Sequence, residues 1–235
     1  MRIRVVDLET GGFAPPAGVC EIAWTEVSYA DDGSGWTVGR SETTLLKPAT
    51  PMHKTAIEVH GITHDMVENA YSDANASNFL HWDGDFTHVC AHNLKFEKQW
   101  LDSRGKGEIC TLLCAKRVFP TLRTYKNFDV FNAIGCHEWA DMSRCTPLHR
   151  ALPDTFVTAC ILVMMLQKHS LAELTDITAG KSIGNVLNYG QYKGIPIDDE
   201  KMIPNHYLKW VRDLSTLNPF NKQQAGDELK RRGVE

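Results

Sequence analysis

The stretch "RIRVVDLETGG", residues 2–12, begins as an apolar run and ends in two carboxylates one residue apart, followed by a glycine pair. Ile3, Val5, Val6 and Leu8 predict a buried β-strand. Side chains two apart on a strand share a face, so Asp7 and Glu9 project together. Like charges held that close repel, and each drives the other towards its protonated form unless a cation intervenes. Hard oxygen ligands of this kind suit Mg²⁺ or Mn²⁺. A strand end reaching solvent tolerates the same D-x-E, so the pair acquires meaning only if further acids join it.

Outward from this strand, "VCEIAWTEVSYA" (19–30) and "WTVGRSETTLL" (36–46) alternate partially around the turn "DDGSG", the pattern of an antiparallel hairpin. After Pro48 and Pro51 the spacing becomes helical, with Thr63 as a candidate N-cap for "THDMVENA". "FTHVCAHN" (86–93) predicts another buried strand and "LKFEKQWLDS" (94–103) an amphipathic helix after it. "EICTLLCAKRVF" (108–119) fits strand or helix equally, whereas "PDTFVTACILVMMLQKHS" (153–170) predicts a helix buried nearly all round. Near residue 180 the texture shifts to Gly, Tyr and Asn, which places a boundary between Thr178 and Val186.

Composition limits the functional classes. With 235 residues, 43% of them hydrophobic, the chain is long enough for one sizeable α/β core and a small appendage. The longest apolar run, "ACILVMML" at 159–166, is far short of the roughly 20 residues that cross a bilayer. The expectation is a cytoplasmic protein with no membrane partner. Seven irregularly spaced cysteines make a poor disulfide framework and lack the paired C-x2-C hooks of structural zinc sites. A net charge of −4 argues against gripping nucleic acid by electrostatics alone. Basic residues do gather at Lys95, Lys98, Arg104, Lys106, Lys116, Arg117, Arg123 and Lys126.

More acids appear at a distance. Glu97 falls in the first turn after a predicted strand, and Asp154 heads the buried helix, five residues after His149. Each has an innocent reading as an anion compensating a helix dipole. Together with Asp7 and Glu9 they form a pattern: "DLETG", "HNLKFE" and "HRALPD" resemble, in order, the three motifs of the DEDDh 3′–5′ exonucleases. "VHGITHDMV" (59–67) looks like the family segment that lines the pocket for the terminal nucleotide, and the resemblance covers residues 1 to about 170. It implies an α/β fold with a ribonuclease H-like mixed sheet flanked by helices. It also implies domains at 1–178, the exonuclease, and 186–235, a small C-terminal module like that of exonuclease X. In that module Tyr189, Tyr192, Tyr207 and Trp210 are candidates for base stacking, and Lys193, Lys209 and Arg212 for phosphate contact.

The resemblance further implies two Mg²⁺ or Mn²⁺ ions held by Asp7, Glu9, Glu97 and Asp154, with His149 as general base on the attacking water. Leu8, Thr10, Gly11, His60, Ile62 and Asn93 are the implied contacts of the 3′-terminal nucleotide. The expected reaction releases nucleoside 5′-monophosphates from a nucleic-acid 3′ end, with DNA favoured over RNA by the exonuclease X-like tail. An exoribonuclease is the alternative within the same chemistry. A catalytically impaired end-binding protein is the alternative outside it, because Glu97 stands where the family has aspartate. The motifs carry no signal for an oligomeric state.

Overall fold

The computed structural model describes residues 1–81, 84–180, 187, 190–213, 216–217 and 219–234, which divide into two compact units, Met1–Thr178 and Ala179–Glu235. The first unit opens with β1 (Arg2–Thr10), β2 (Val19–Tyr29) and β3 (Trp36–Lys47). They pair antiparallel, and the 31–35 turn is closed by Gly33 and Gly35 at positive φ, where a side chain would be strained. Two short helices, α1 (Lys54–His60) and α2 (His64–Val67), lead to β4 (Tyr71–Ser72) and α3 (Ala76–Phe79). Next come β5 (His88–Ala91) with α4 (Leu94–Glu97), and β6 (Gly107–Cys110) with α5 (Thr111–Val118). The sequence 108–119 thus satisfies both of its readings, strand first and helix after. The amphipathic segment 94–103 makes only one helical turn. After α6 (Asn127–Ala133) come the long α7 (Ala151–Leu166) and α8 (Leu171–Thr178).

Among the described residues the six strands form one mixed sheet in the order β4-β3-β2-β1-β5-β6, with β5 and β6 parallel to β1. Register fixes which side chains share a face. Val6 and Leu8 lie opposite Trp24 and Ile22 and join Ala91, Leu94 and Leu101 in one core layer. On the other face Val5, Asp7 and Glu9 lie opposite Thr25, Ala23 and Glu21. That face carries α7, whose Thr155 hydroxyl bonds the Thr25 hydroxyl at 2.8 Å. Because β1 is covered on both sides, residues 3 to 6 are all buried and β1 lacks alternation until Asp7.

The second unit has its own core, with Leu187, Ile197, Ile203, Leu208, Val211, Ala225 and Leu229 packed between α9 (Asn205–Asp213) and α10 (Pro219–Arg231). Tyr207 is 7% exposed and belongs to that core, and Tyr192 packs edge-on against it at 4.6 Å. Tyr207 is thus a core residue, which corrects the expectation for it, while Tyr192 is half-buried at the margin of that core. Trp210 is exposed, Arg212 is paired with Asp213 at 2.9 Å, and Tyr189 lies outside the described residues.

Candidate active site

Two structural choices bring the distant acids together. β1 and β5 are parallel, so both end at the same edge of the sheet, where α/β proteins characteristically bind ligands. α7 crosses the Asp7–Glu9 face and begins at that same edge. Oxygens of Asp7, Glu9 and Asp154 consequently lie within 4.8 Å of one another. Glu97, from α4, is buried with them, and its Oε2 has no hydrogen-bond partner.

Electrostatics register the crowding. Burial first, and then the charges of Glu9, Glu97 and Asp154, raise Asp7 well above the usual carboxylate range. Burial and Asp154 push Glu9 up to about 8, and burial pushes Glu97 to about 8. Burial takes Asp154 only to about 6, because the charge of His149 and a hydrogen bond from its backbone N–H pull the other way. Three buried carboxylates converging within 4.8 Å, with Glu97 near enough to raise Asp7 and carrying an orphaned buried oxygen, are hard oxygen donors that fit a divalent metal. Among the described residues this is the group of ligating side chains that converges. The seven cysteines are free and buried, and none enters such a group.

His149 is exposed in the left-handed region, with φ at 58°, on the segment that enters α7. Position 150 is tied down. Arg150 Nη2 and Nε donate to Glu21 Oε1 and Oε2 at 2.6 and 2.9 Å, and the Ala151 N–H donates to the same carboxylate at 3.0 Å. Glu21 escaped the sequence reading. Its only signal is a lone charge inside the apolar strand "VCEIAW", and it is 2% exposed.

A cleft of ≈ 370 Å³ opens beside Glu9, lined by Leu8, Thr10, Gly12, Phe13, His53, Val59, His60 and Phe96 among others. Leu8, Thr10 and His60 are therefore in its wall. His60 Nδ1 accepts the Ile62 N–H at 3.0 Å, which leaves the proton on Nε2, facing Cys20 Sγ at 3.7 Å. Ile62 itself is fully buried with Cys20, Met52 and Val67, which corrects its expected place beside the nucleotide. Asn93 stands exposed ahead of α4, and neither it nor Gly11 lines the cleft. The glycine pair answers to the chain itself: a Cβ on Gly11 would meet Met52 at 3.2 Å, and one on Gly12 would meet His53 at 2.8 Å. Phe13, missed in the sequence, is 89% exposed at the cleft.

Two further pins were not foreseen. His92 Nε2 donates to the Tyr125 carbonyl at 2.8 Å while Nδ1 meets the Thr111 hydroxyl at 3.0 Å. Asn127 Nδ2 donates to the Asp154 carbonyl at 3.1 Å. Of the basic cluster, Lys98 is paired with Glu108 at 2.7 Å and Lys106 donates to the Phe86 carbonyl, whereas Lys95, Lys116, Arg123 and Lys126 are exposed.

A mixed sheet of this order, with acids gathered where parallel strands end, is the architecture of the ribonuclease H-like nucleases. Residues 5–162 match the family described as Exonuclease. The chain belongs to that family, as a DEDDh-type 3′–5′ exonuclease acting on nucleic acid. It is 27% identical over 224 residues to exodeoxyribonuclease 10 of Escherichia coli K12, covering 92% of this chain and 94% of that one. A 30% identical match over 174 residues links 69% of the chain to 11% of the PolC-type DNA polymerase III of Bacillus cereus. Among solved structures, exonuclease X in complex with 5′-overhanging duplex DNA superposes with a TM-score of 0.61 at 26% identity, over 75% of this chain and 99% of that one.

Proposed function

We propose that this exonuclease is a DNA enzyme, which removes nucleotides one at a time from single-stranded or frayed 3′ ends and releases nucleoside 5′-monophosphates. The hydrolytic reading is carried by the convergence of Asp7, Glu9 and Asp154 at one sheet edge beside an open cleft, and the choice of DNA is supported by the similarity to exodeoxyribonuclease 10 over 92% of the chain. Asp7, Glu9 and Asp154, with Glu97 completing the set, would hold Mg²⁺ or Mn²⁺. Bound there, the ions would neutralise the scissile phosphate and make water acidic enough to attack near neutral pH.

The remaining steps belong to the protein. The exposed imidazole of His149 takes the proton of the attacking water. The water oxygen bonds to phosphorus, the bond from phosphorus to the 3′ oxygen of the penultimate nucleotide breaks, and that oxygen takes a proton from solvent water as the new 3′ hydroxyl, while His149 returns its proton to solvent. Leu8, Thr10, Phe13, Val59, His60 and Phe96 receive the departing nucleotide, and the faces of Phe13 and Phe96 suit base stacking. Lys126 directly precedes Asn127, which holds the Asp154 carbonyl, and its exposed charge supports contact with substrate phosphates. Residues 186–235 are proposed as an accessory nucleic-acid module, a role supported by exposed Trp210 and the neighbouring Lys209. Seven free, buried cysteines support a reducing, cytoplasmic setting.

The test is a gel time course on 5′-labelled DNA and on RNA of matching sequence, with Mg²⁺, Mn²⁺ or EDTA. The expected result is a metal-dependent ladder shortening from the 3′ end, faster on DNA. Asp7→Ala should lower the rate by at least about 10³-fold, since a metal site supplies several kcal/mol of stabilisation. Faster digestion of RNA would overturn the substrate assignment, and undiminished activity in Asp7→Ala would overturn the site.

A further inference from the structure

We propose that Glu21 and Arg150 form a positioning pair for the reaction, a clasp between β2 and the start of α7 that sets where His149 and Asp154 stand relative to the acids of β1. The inference rests on the catalytic roles given above to His149 and Asp154, and extends them to two residues that touch neither metal nor substrate in that scheme.

Glu21 lies directly opposite Glu9 in the β1/β2 register, so its carboxylate shares the face of the acid cluster. A free acid there would compete for the same cations. It is instead committed four times over: to Arg150 Nη2 and Nε at 2.6 and 2.9 Å, to the Ala151 N–H at 3.0 Å and to the Thr43 hydroxyl at 3.4 Å. The side chain is only 3% exposed, so these bonds replace nearly all of its hydration. The register between β1 and β2 slips just past this point, between Glu9 and Thr10, and the clasp stands immediately before that bulge.

What the clasp fixes is the backbone on either side. Residue 149, immediately before Arg150, is the histidine held at φ 58°, a conformation a non-glycine residue keeps only when its surroundings impose it. Ala151 is the first residue of α7, and the Asp154 N–H donates to the Arg150 carbonyl at 3.1 Å in the first helical turn. A planar, bidentate guanidinium fixes orientation as well as distance, which an ammonium does not. Arg150 therefore orients, through the chain, both the general base before it and the metal-ligating acid after it. A merely structural ion pair would hold β2 and α7 together without this consequence.

The experiment uses full-length protein and compares Arg150→Lys and the double variant Glu21→Met/Arg150→Met with His149→Ala and Asp154→Asn. Melting temperature, kcat, KM for a DNA oligonucleotide and the Mn²⁺ concentration giving half-maximal rate are measured for each. Replacing a buried ion pair by apolar side chains of similar size commonly preserves stability, so the double variant separates folding from positioning. Its kcat should fall about 10²-fold, as for a reacting group displaced by about an ångström, with KM within about twofold and more Mn²⁺ required. Arg150→Lys, which keeps the charge and loses the fork, should fall about tenfold in kcat with KM within about twofold while remaining folded at the assay temperature. This variant decides the matter if the double variant melts early. Wild-type kcat in Arg150→Lys or in a folded double variant would overturn the pair's role. Undiminished activity in His149→Ala and Asp154→Asn would instead overturn the reading on which it rests.

Discussion

Glu97 is where this chain departs from the family pattern, and its surroundings say what the departure does. The side chain is 4% exposed, its Oε2 is orphaned, and burial pushes its pKa to about 8. The longer acid is thus buried with one oxygen unpartnered, which a cation would satisfy. Glu97→Gln should lower activity by about 10–100-fold, the usual range for residues that support a metal. The same change should raise the melting temperature of the EDTA-treated protein near pH 8, because an unpaired buried charge is removed. Glu97→Asp should retain activity within about tenfold; these rates and melts, taken side by side, check the assignment, and a lower metal-free melting temperature in Glu97→Gln would contradict it. Residues such as Asp7, Glu9 and Asp154 were legible in the sequence because their motifs are short and local. Glu21 was not, since its partner lies 129 residues away, and Ile62 was misplaced because a motif does not say which way each side chain faces.

Elements obey the same division between local and distant causes. The hairpin of β2 and β3 could be read from its turn, and α7 from a proline in the first turn followed by unbroken apolar residues. The single turn of α4 could not. Its amphipathic continuation is used instead to bury Trp100 and Leu101, with the indole N–H donating to the Ala17 carbonyl at 2.7 Å. In the second unit Arg232, just past α10, ties that helix to the start of α9 through Asn205 Oδ1 at 3.0 Å and to the segment before it, and its side chain is 3% exposed. It donates to the carbonyls of Ile197 and Ile203 at 2.6 and 2.7 Å and to Glu228 at 2.6 Å. Arg232→Ala would strand the carbonyls of Ile197 and Ile203, while Glu228 keeps its bidentate pair with Arg231 at 2.7 Å, a loss of about 2 kcal/mol or more to this unit. Hydrogen exchange should show protection falling in α9 and α10 while β1, β2 and α7 keep theirs. Equal loss in both sets would mean that the two units do not unfold as separate cores.

At the scale of the whole molecule, the acid cluster makes stability depend on metal and on pH together. In the folded chain Glu9 and Glu97 titrate at about 8 and Asp154 at about 6, against 4.5 and 3.8 for ordinary Glu and Asp. Between those ordinary values and about pH 8 the metal-free native state therefore holds more protons than the unfolded chain. Linkage then requires the cluster's contribution to stability to be fully present below about pH 4 and to decline as pH rises through the folded values of Glu9, Glu97 and Asp154. Divalent metal should reverse the trend, because under the proposed function it would bind the deprotonated acids and only in the folded state. At a concentration 100-fold above its Kd, a single ion contributes about 2.7 kcal/mol, or about 5–10 °C for a chain of this size. Calorimetric melts between about pH 5 and pH 9 should show the exonuclease unit melting progressively earlier in EDTA. The increment from Mn²⁺ should be larger near pH 8 than near pH 6, where protons compete for the same oxygens. A metal-free melting temperature that climbs across this window would mean that the four carboxylates are not crowded as described, and the metal assignment would fall with it.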